Sequence, residues 1–301
     1  KNTGNRLFNI GALTGLSETE YDQLEPIQWP VTPESPTGTQ RLFLDGHFPT
    51  PSGKAQFISS AAELPRQSLS DQFPLVLNSG RIRDQWHTMT RTGRTARLLD
   101  HIEQPFVAMH PETALAYNLK ADDLARVTTA QADLELCVTT DEGLKPNQLF
   151  IPIHWNNQFA KRARVDSLVA PIIDAVSGQP EFKFTPATIA KIDVPCWAVL
   201  VSRTKINCEP FINWSLSPLE NNQGYLYQVA LTENFNWQDF IALKRLIEQG
   251  PAQAYEHYAD ESVSDQRFIC YSDQQIEMAI FTHADKSQLP GRAWLQRLFV
   301  E

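Results

Sequence analysis

The side chains best suited to ligand chemistry are concentrated between Leu77 and Arg97, in the segment LNSGRIRDQWHTMTRTGRTAR. This segment has five arginines against one aspartate, whereas the whole chain of 301 residues has a formal net charge of −9. A strand that ends in Ser79-Gly80 lets the backbone approach a ligand closely, because glycine has no side chain. Hydroxyl and backbone N–H groups donate to phosphate oxygens, and arginines add bidentate charge. With Trp86 as a flat apolar face, the segment predicts a pyrophosphate-binding loop that also holds a planar ring.

A basic loop of this composition also has a simpler interpretation. Surface loops are often solvated and mobile, and an arginine-rich loop can be of this kind without binding any ligand. Neither the P-loop pattern G-x-x-x-x-G-K-[ST] nor the dinucleotide fingerprint G-x-G-x-x-G occurs in the segment, so the widespread nucleotide-binding folds are not predicted. Composition by itself therefore leaves both interpretations open.

Short strands and few helices must position this loop. Alternating and buried apolar patterns predict the strands, and Pro111 suits the first turn of a helix. The predicted strands cover residues 73–78, 106–109, 124–129, 133–139 and 149–153, and the predicted helix covers residues 111–118. Many short strands around one or two small helices favour a compact β-barrel over residues 71–194.

The residues before this barrel have a different composition. Residues 1–70 contain seven prolines and predict an irregular lead-in from a preceding domain. A capping box predicts a short helix that starts at Ser17. The stretch 41–57 predicts a strand, a turn at Asp45-Gly46 and a second strand.

The residues after the barrel predict a smaller α+β domain over 195–301. Its strands are interrupted by an amphipathic helix predicted over 236–249, which Gly250-Pro251 would end. A terminal helix is predicted over 291–299.

Composition bounds the class of protein. Hydrophobic residues make up 42% and charged residues 20%, which is ordinary globular usage, so disorder as the main state is excluded. No apolar run approaches the roughly 20 residues of a membrane span, and the acidic balance argues against a nucleic-acid partner. The four cysteines include no C-x-x-C pair, so they predict reduced thiols of a cytoplasmic protein without a metal site of their own.

The order of residues in the loop resembles the molybdopterin-dinucleotide-binding domain of the dimethyl sulfoxide reductase superfamily. In that family a strand is followed by a small residue, Gly-Arg, a few variable residues, Trp-His-Thr and then Thr-Arg, and SGRIRDQWHTMTR matches this order. Later matches are HPETA at 110–114, LFIPIHW at 149–155, DSL at 166–168 and SGQPEFK at 177–183. The resemblance implies a mainly β fold, with a six-stranded double-psi β-barrel followed by the smaller α+β domain.

The resemblance also implies a cofactor, bis(molybdopterin guanine dinucleotide) with molybdenum, and candidate residues that contact it. These are Ser79, Gly80, Arg81, Gln85, Trp86, His87, Thr88, Asp166 and Lys183. Asp166 departs from the family, which often has asparagine there, and a carboxylate lacks the amide's donors. His154 is expected beside the substrate, where a protonated ring would add positive charge near an anion.

Residue type alone leaves other roles open for several of these side chains. Trp86 is also typical of core packing, His87 of a structural histidine and Lys183 of a solvated surface. His154 could equally stand at the rim of the barrel. The resemblance assigns no catalytic or metal-ligating residue to this chain.

Within the superfamily, the flanks resemble bacterial assimilatory nitrate reductases at 28–30, 41–57 and 289–295. This implies reduction of nitrate to nitrite, with electrons from ferredoxin, flavodoxin or an NADH-dependent reductase subunit. Such enzymes bind an iron–sulfur cluster, and many ligate molybdenum by a cysteine, in domains without counterpart here. The chain, which begins at Lys1, is therefore expected to be the C-terminal part of a longer enzyme. The alternatives are a formate dehydrogenase large subunit and a non-enzymatic double-psi-barrel binding domain.

Overall fold

The computed structural model describes most of the chain, and its contacts divide it into two compact units, residues 1–64 and 65–301. The described residues are 7–59, 61, 63–175, 177–233, 235–239, 254–260, 264–272 and 275–299. Within these ranges no helix is long and apolar enough to cross a membrane.

The first unit consists mainly of turns. Helix α1 (Glu18–Asp22) begins at Ser17, whose N–H donates to Glu20 Oε2 at 2.8 Å, so the predicted capping box is confirmed. The hairpin predicted over residues 41–57 is wrong. The chain does turn at Gly46, whose N–H donates to Phe43 O at 3.0 Å, but no residue from 41 to 57 lies in a strand. Pro49 and Pro51 remove two of the N–H donors that a strand ladder would need.

The second unit begins with a closed barrel of six strands, as predicted. Strand β1 pairs in parallel with β5, and β2 with β4, while the remaining pairs are antiparallel. The order around the barrel is β1-β5-β2-β4-β3-β6. The strands are β1 (Leu75–Gly80), β2 (Phe106–Met109), β3 (Leu124–Thr128), β4 (Asp133–Thr140), β5 (Gln148–Pro152) and β6 (Thr185–Ile192), with helices α2 (Ala96–Leu99) and α3 (Pro111–Ala116) between them.

Alternating burial explains why these segments form strands around one core. In β1, Leu75 and Leu77 are buried, while Val76 and Asn78, which follow them in turn, are less buried. This is the period-two pattern of a half-buried strand. Both leucines belong to the apolar cluster inside the barrel, together with Trp155 just beyond β5. The end of β1, which carries the loop of interest, is therefore fixed by the core.

The barrel is followed by a six-stranded antiparallel sheet of order β10-β11-β12-β7-β9-β8. Its strands are β7 (Cys196–Ser202), β8 (Asn213–Pro218), β9 (Tyr225–Leu231), β10 (Ala254–Asp260), β11 (Asp265–Ser272) and β12 (Gln275–His283), and helix α4 (Arg292–Arg297) comes last. Leu295 of α4 packs with Val199 and Val201 on one face of the sheet, while Phe211 and Tyr227 pack on the other. The helix predicted over 236–249 falls mostly on residues 240–253, which lie outside the described residues.

Strand β8 connects this sheet to the barrel. Lys161 N–H donates to Trp214 O at 2.9 Å, and Leu216 N–H donates to Phe159 O at 2.7 Å. Asn213 Nδ2 also donates to the backbone oxygen of Glu135 in β4, at 3.1 Å. The open edge of β8 is thus paired with the segment that follows β5, which removes an unpaired strand edge.

Burial raises the pKa of the Cys208 thiol to about 12, because desolvation disfavours the thiolate. We expect iodoacetamide at pH 8 to leave Cys208 unmodified in the native protein and to modify it readily in urea. Relative to the ordinary value of 9.0, such a pKa lowers the reactive thiolate fraction by about three orders of magnitude. Peptide mass spectrometry after timed alkylation measures this. Equal alkylation rates in the native and the urea-unfolded protein would contradict it.

Candidate ligand-binding site

The end of β1 joins two other segments of the chain. Ser79 is buried, and its Oγ donates to Phe182 O at 2.8 Å, while Lys183 Nζ donates to Ser79 O. A Cβ atom on Gly80 would lie 2.7 Å from Cε2 of Phe150, so the close approach of β1 to that ring requires glycine or a shifted ring. The structure thus brings Ser79, Gly80 and Lys183 together, as expected for one site.

The arginines of the loop that follows differ in their anionic partners. Arg81 is exposed, and no carboxylate pairs with it in the part of the chain that the structure describes. Arg83 differs, because its Nε lies 2.9 Å from Asp84 Oδ2. Since an exposed guanidinium without a carboxylate remains free to bind an anion, Arg81 is the better candidate phosphate ligand.

Trp86, His87 and Thr88 are all exposed at the far end of this loop. The side chain of Trp86 is among the exposed large apolar groups, and its ring meets that of His87 edge-on at 4.7 Å between centroids. Among the described residues no acceptor is found for the backbone N–H groups of His87 and Thr88. Core packing therefore does not explain Trp86, which offers an open ring face beside free donors.

Gln85 lies inside the loop and is buried. Its Nε2 donates to Leu98 O at 2.9 Å, which ties the loop to α2, but no donor from the described residues reaches its Oε1. A buried acceptor without a donor is costly, so it is a position that a ligand N–H could satisfy.

His154 lies beneath the loop and is completely buried. Its Nε2 accepts the N–H of Ile82 at 3.0 Å, and its Nδ1 lies 2.7 Å from His87 O. Burial lowers the pKa of His154, and the charge of nearby Arg81 lowers it further. Because Nε2 accepts a backbone N–H while Nδ1 meets a carbonyl oxygen, both ring nitrogens are engaged, which does not favour the cationic form expected beside a substrate anion.

Two further residues of the site were missed by the sequence analysis. Asn156 Nδ2 donates to Thr88 O at 2.9 Å, and Phe150 supplies the ring against Gly80. The signal for Phe150 was its place in the matched segment LFIPIHW at 149–155, and Asn156 directly follows that segment. Asp166, by contrast, is exposed in a 3₁₀ turn (Val165–Leu168), and no described contact links it to the loop.

A cleft of about 880 Å³ lies elsewhere in the second unit, and its charges are differently arranged. It is lined by residues 120–124, 191–195, 197, 233 and 284–287. Lys191 Nζ lies 3.0 Å from Asp123 Oδ2, and Lys286 Nζ lies 3.5 Å from Asp122 Oδ1. Because two of the three lysines that line it have carboxylate partners, the cleft is a weaker candidate for an anionic ligand than the loop after β1.

The loop residues fit a ligand that combines phosphate groups with a planar ring. Arg81 and the N–H groups of His87 and Thr88 suit phosphate oxygens. The exposed ring of Trp86 suits a heterocycle, and the unsatisfied Oε1 of Gln85 suits one of its N–H donors. These groups were identified from the sequence, but only the fold shows that they are not consumed by internal contacts.

Comparison with known families finds a match over the barrel. Residues 75–186, from the first barrel strand into the sixth, match the family described as Molydopterin dinucleotide binding domain. The match covers the barrel part of the chain, and it indicates a molybdopterin cofactor.

Curated relatives match between 56% and 76% of this chain. The chain is 41% identical over 215 residues to a nitrate reductase of Klebsiella oxytoca, covering 71% of this chain and 24% of that protein. It is 34% identical over 250 residues to a nitrate reductase of Shewanella frigidimarina, covering 76% and 26%. A formate dehydrogenase subunit alpha of Methanocaldococcus jannaschii is 27% identical over 174 residues, covering 56% and 24%. The resemblance to nitrate reductases that the sequence predicts is thus confirmed. The chain spans about a quarter of the length of these relatives.

Proposed function

We propose that this chain is the cofactor-binding C-terminal part of a molybdenum nitrate reductase. It would hold bis(molybdopterin guanine dinucleotide) during the two-electron reduction of nitrate to nitrite. The observation that carries the proposal is the loop after β1, where unpaired Arg81 and exposed Trp86 stand on a barrel of the dinucleotide-binding family. Similarity to two nitrate reductases supports the substrate.

In this proposal the chain binds and orients the cofactor. Arg81 and the free N–H groups of His87 and Thr88 bind the pyrophosphate, and Trp86 packs against a ring of the dinucleotide. Lys183, held at Ser79 O, approaches the ligand from the 182–183 segment. We propose that Asp166 makes a weaker contact with the cofactor, because the turn that contains it has no described link to the loop. When bound, the molybdenum cofactor supplies the redox chemistry, and the protein supplies position and charge.

In this proposal, the iron–sulfur cluster and the sites of electron entry belong to other parts of the enzyme. We propose that an iron–sulfur cluster there receives electrons from ferredoxin, flavodoxin or an NADH-dependent reductase subunit. We further propose that the enzyme is cytoplasmic and serves nitrate assimilation, a location that suits Cys137, Cys196 and Cys208, which form no disulfide in the described residues.

A second candidate function keeps the cofactor and changes the substrate. Similarity to a formate dehydrogenase subunit favours oxidation of formate, and the binding residues of the barrel would serve both reactions equally. The substrate therefore has to be decided with the complete enzyme.

The test is to express the full-length gene product in a host that makes the cofactor. Molybdenum content and nitrate reduction with reduced viologen are then measured. Bound molybdenum with nitrate turnover is the expected result. Molybdenum with formate oxidation but no nitrate turnover would replace the proposed substrate. Absence of molybdenum would overturn the cofactor assignment and favour a non-enzymatic binding domain.

A further inference from the structure

One buried side chain joins both ends of the loop that carries the proposed ligand contacts. His154 accepts the N–H of Ile82 at Nε2, at 3.0 Å, and contacts His87 O through Nδ1, at 2.7 Å. A backbone N–H can only donate and a carbonyl oxygen can only accept. These two partners therefore select a single form of the ring, neutral with the proton on Nδ1.

The backbone between these two contacts needs support. Asp84 has a φ of 72° and His87 a φ of 44°, and both angles lie in the left-handed region that side-chain-bearing residues seldom adopt. Such conformations persist only when surrounding contacts enforce them. The imidazole spans this strained stretch, from Ile82 before it to His87 at its end.

The support comes from a rigid part of the fold. His154 and Asn156 follow β5, and Trp155 between them is buried in the barrel core. Asn156 adds a second link, because its Nδ2 donates to Thr88 O at 2.9 Å. The chain after β5 thus holds the loop from below at residues 82, 87 and 88.

We infer that His154 is a positioning residue, which acts through its Nδ1-protonated ring to hold the loop in the shape that binds the dinucleotide. The identity of the ligand in this inference rests on the proposed function, whereas the contacts of the imidazole ring do not depend on it. A pre-ordered loop binds more tightly, because less conformational entropy is lost on binding. The role differs from a place beside the substrate, since the ring faces the underside of the loop and both nitrogens are occupied.

The experiment uses the whole chain with GDP as the probe. His154→Ala removes both contacts and is expected to weaken GDP binding by about tenfold or more. His154→Gln can keep an acceptor toward Ile82 N–H, and His154→Asn can keep a donor toward His87 O. Both are therefore expected to bind GDP with intermediate affinity. His110→Ala is the matched control, because His110 caps α3 through the N–H of Glu112 and makes no described contact with the loop.

Two readouts separate positioning from general stability. Limited trypsin digestion should accelerate within the loop of His154→Ala, at Arg81, Arg83 or Arg91, and not elsewhere. Long-range ¹H–¹⁵N correlations of the wild-type imidazole should show an unprotonated Nε2, with the signal assigned by its loss in His154→Gln.

The outcomes distinguish the two proposals. If the wild type binds GDP and His154→Ala binds it within twofold, the inference is overturned while the proposed function stands. If the wild type itself does not bind GDP, the dinucleotide assignment fails. In that case loop-confined cleavage in His154→Ala still supports the positioning role, and an unchanged digestion pattern overturns it.

Discussion

Replacing Arg292 by alanine is expected to lower the free energy of unfolding by about 3 kcal/mol. Arg292 begins α4 and is buried, with a relative exposure of 9%. Its Nε lies 2.8 Å from Asp100 Oδ1, Nη1 donates to Ser217 Oγ at 2.5 Å, and Nη2 donates to Pro218 O at 2.7 Å. Alanine would leave the Ser217 and Pro218 oxygens without this donor and would empty the space between barrel and sheet. The charge of Asp100 adds less, because that side chain is 45% exposed.

Urea unfolding of the whole chain measures this effect. Arg297→Ala is the matched control, since it removes the same charge from the same helix but from an exposed position. Its effect should stay within about 0.5 kcal/mol. Arg292→Lys should fall between the two, because an ammonium keeps the charge but not the planar fork of donors. Equal unfolding free energies for Arg292→Ala and Arg297→Ala would show that the buried contacts contribute nothing.

Replacing Arg81 by alanine is expected to weaken dinucleotide binding by about tenfold to a hundredfold. One hydrogen bond to a charged group contributes roughly 1.5–3 kcal/mol, and each 1.4 kcal/mol changes affinity about tenfold. The exposed guanidinium makes no described contact that supports the fold, so the domain should remain folded. In the full-length enzyme the same change should lower molybdenum content.

Arg83→Ala provides the matched control for Arg81. It removes the same charge two residues away, but the Arg83 guanidinium already pairs with Asp84 at 2.9 Å. Isothermal titration with GDP on the whole chain should therefore separate the two variants clearly. Unchanged GDP affinity in Arg81→Ala, together with unchanged molybdenum in the full-length enzyme, would remove Arg81 from the binding site.

Arg292 links the sheet of residues 196–283 to the segment that supports the proposed site. Asp100 follows α2, and α2 accepts the hydrogen bond of Gln85 through Leu98 O. Gly93 of the same segment packs against Phe159, whose backbone oxygen accepts the N–H of Leu216 in β8. The second sheet therefore supports the loop region from outside the barrel. If the second sheet contributes to ligand binding in this way, the GDP affinity of Arg292→Ala should differ from that of the wild type when both are fully folded in the absence of urea.

Much of this protein could be predicted from the sequence, because the signals are local. The short apolar run Leu75-Val76-Leu77 predicts the strand β1, and Ser17 with Glu20 predicts the start of α1. The loop was recognised from residue order alone, since Gly-Arg and Trp-His-Thr occur at fixed distances after a strand. The local pattern failed at residues 41–57, where apolar residues and a turn were present but two prolines interrupt any ladder.

The tertiary structure decided which side chains of the site have groups without an internal partner, and therefore which are able to bind a ligand. From the sequence, Arg81 and Arg83 are equally good candidates to bind an anion. Only the fold shows that Arg83 is paired with Asp84, whereas Arg81 has no carboxylate partner among the described residues. The role of His154 depends on the backbone of Ile82 and His87, which lie far away along the chain. Such contacts arise from strand pairing between β1 and β5 and leave no periodic trace in the sequence, because periodicity reports which face is buried and not which distant group it meets.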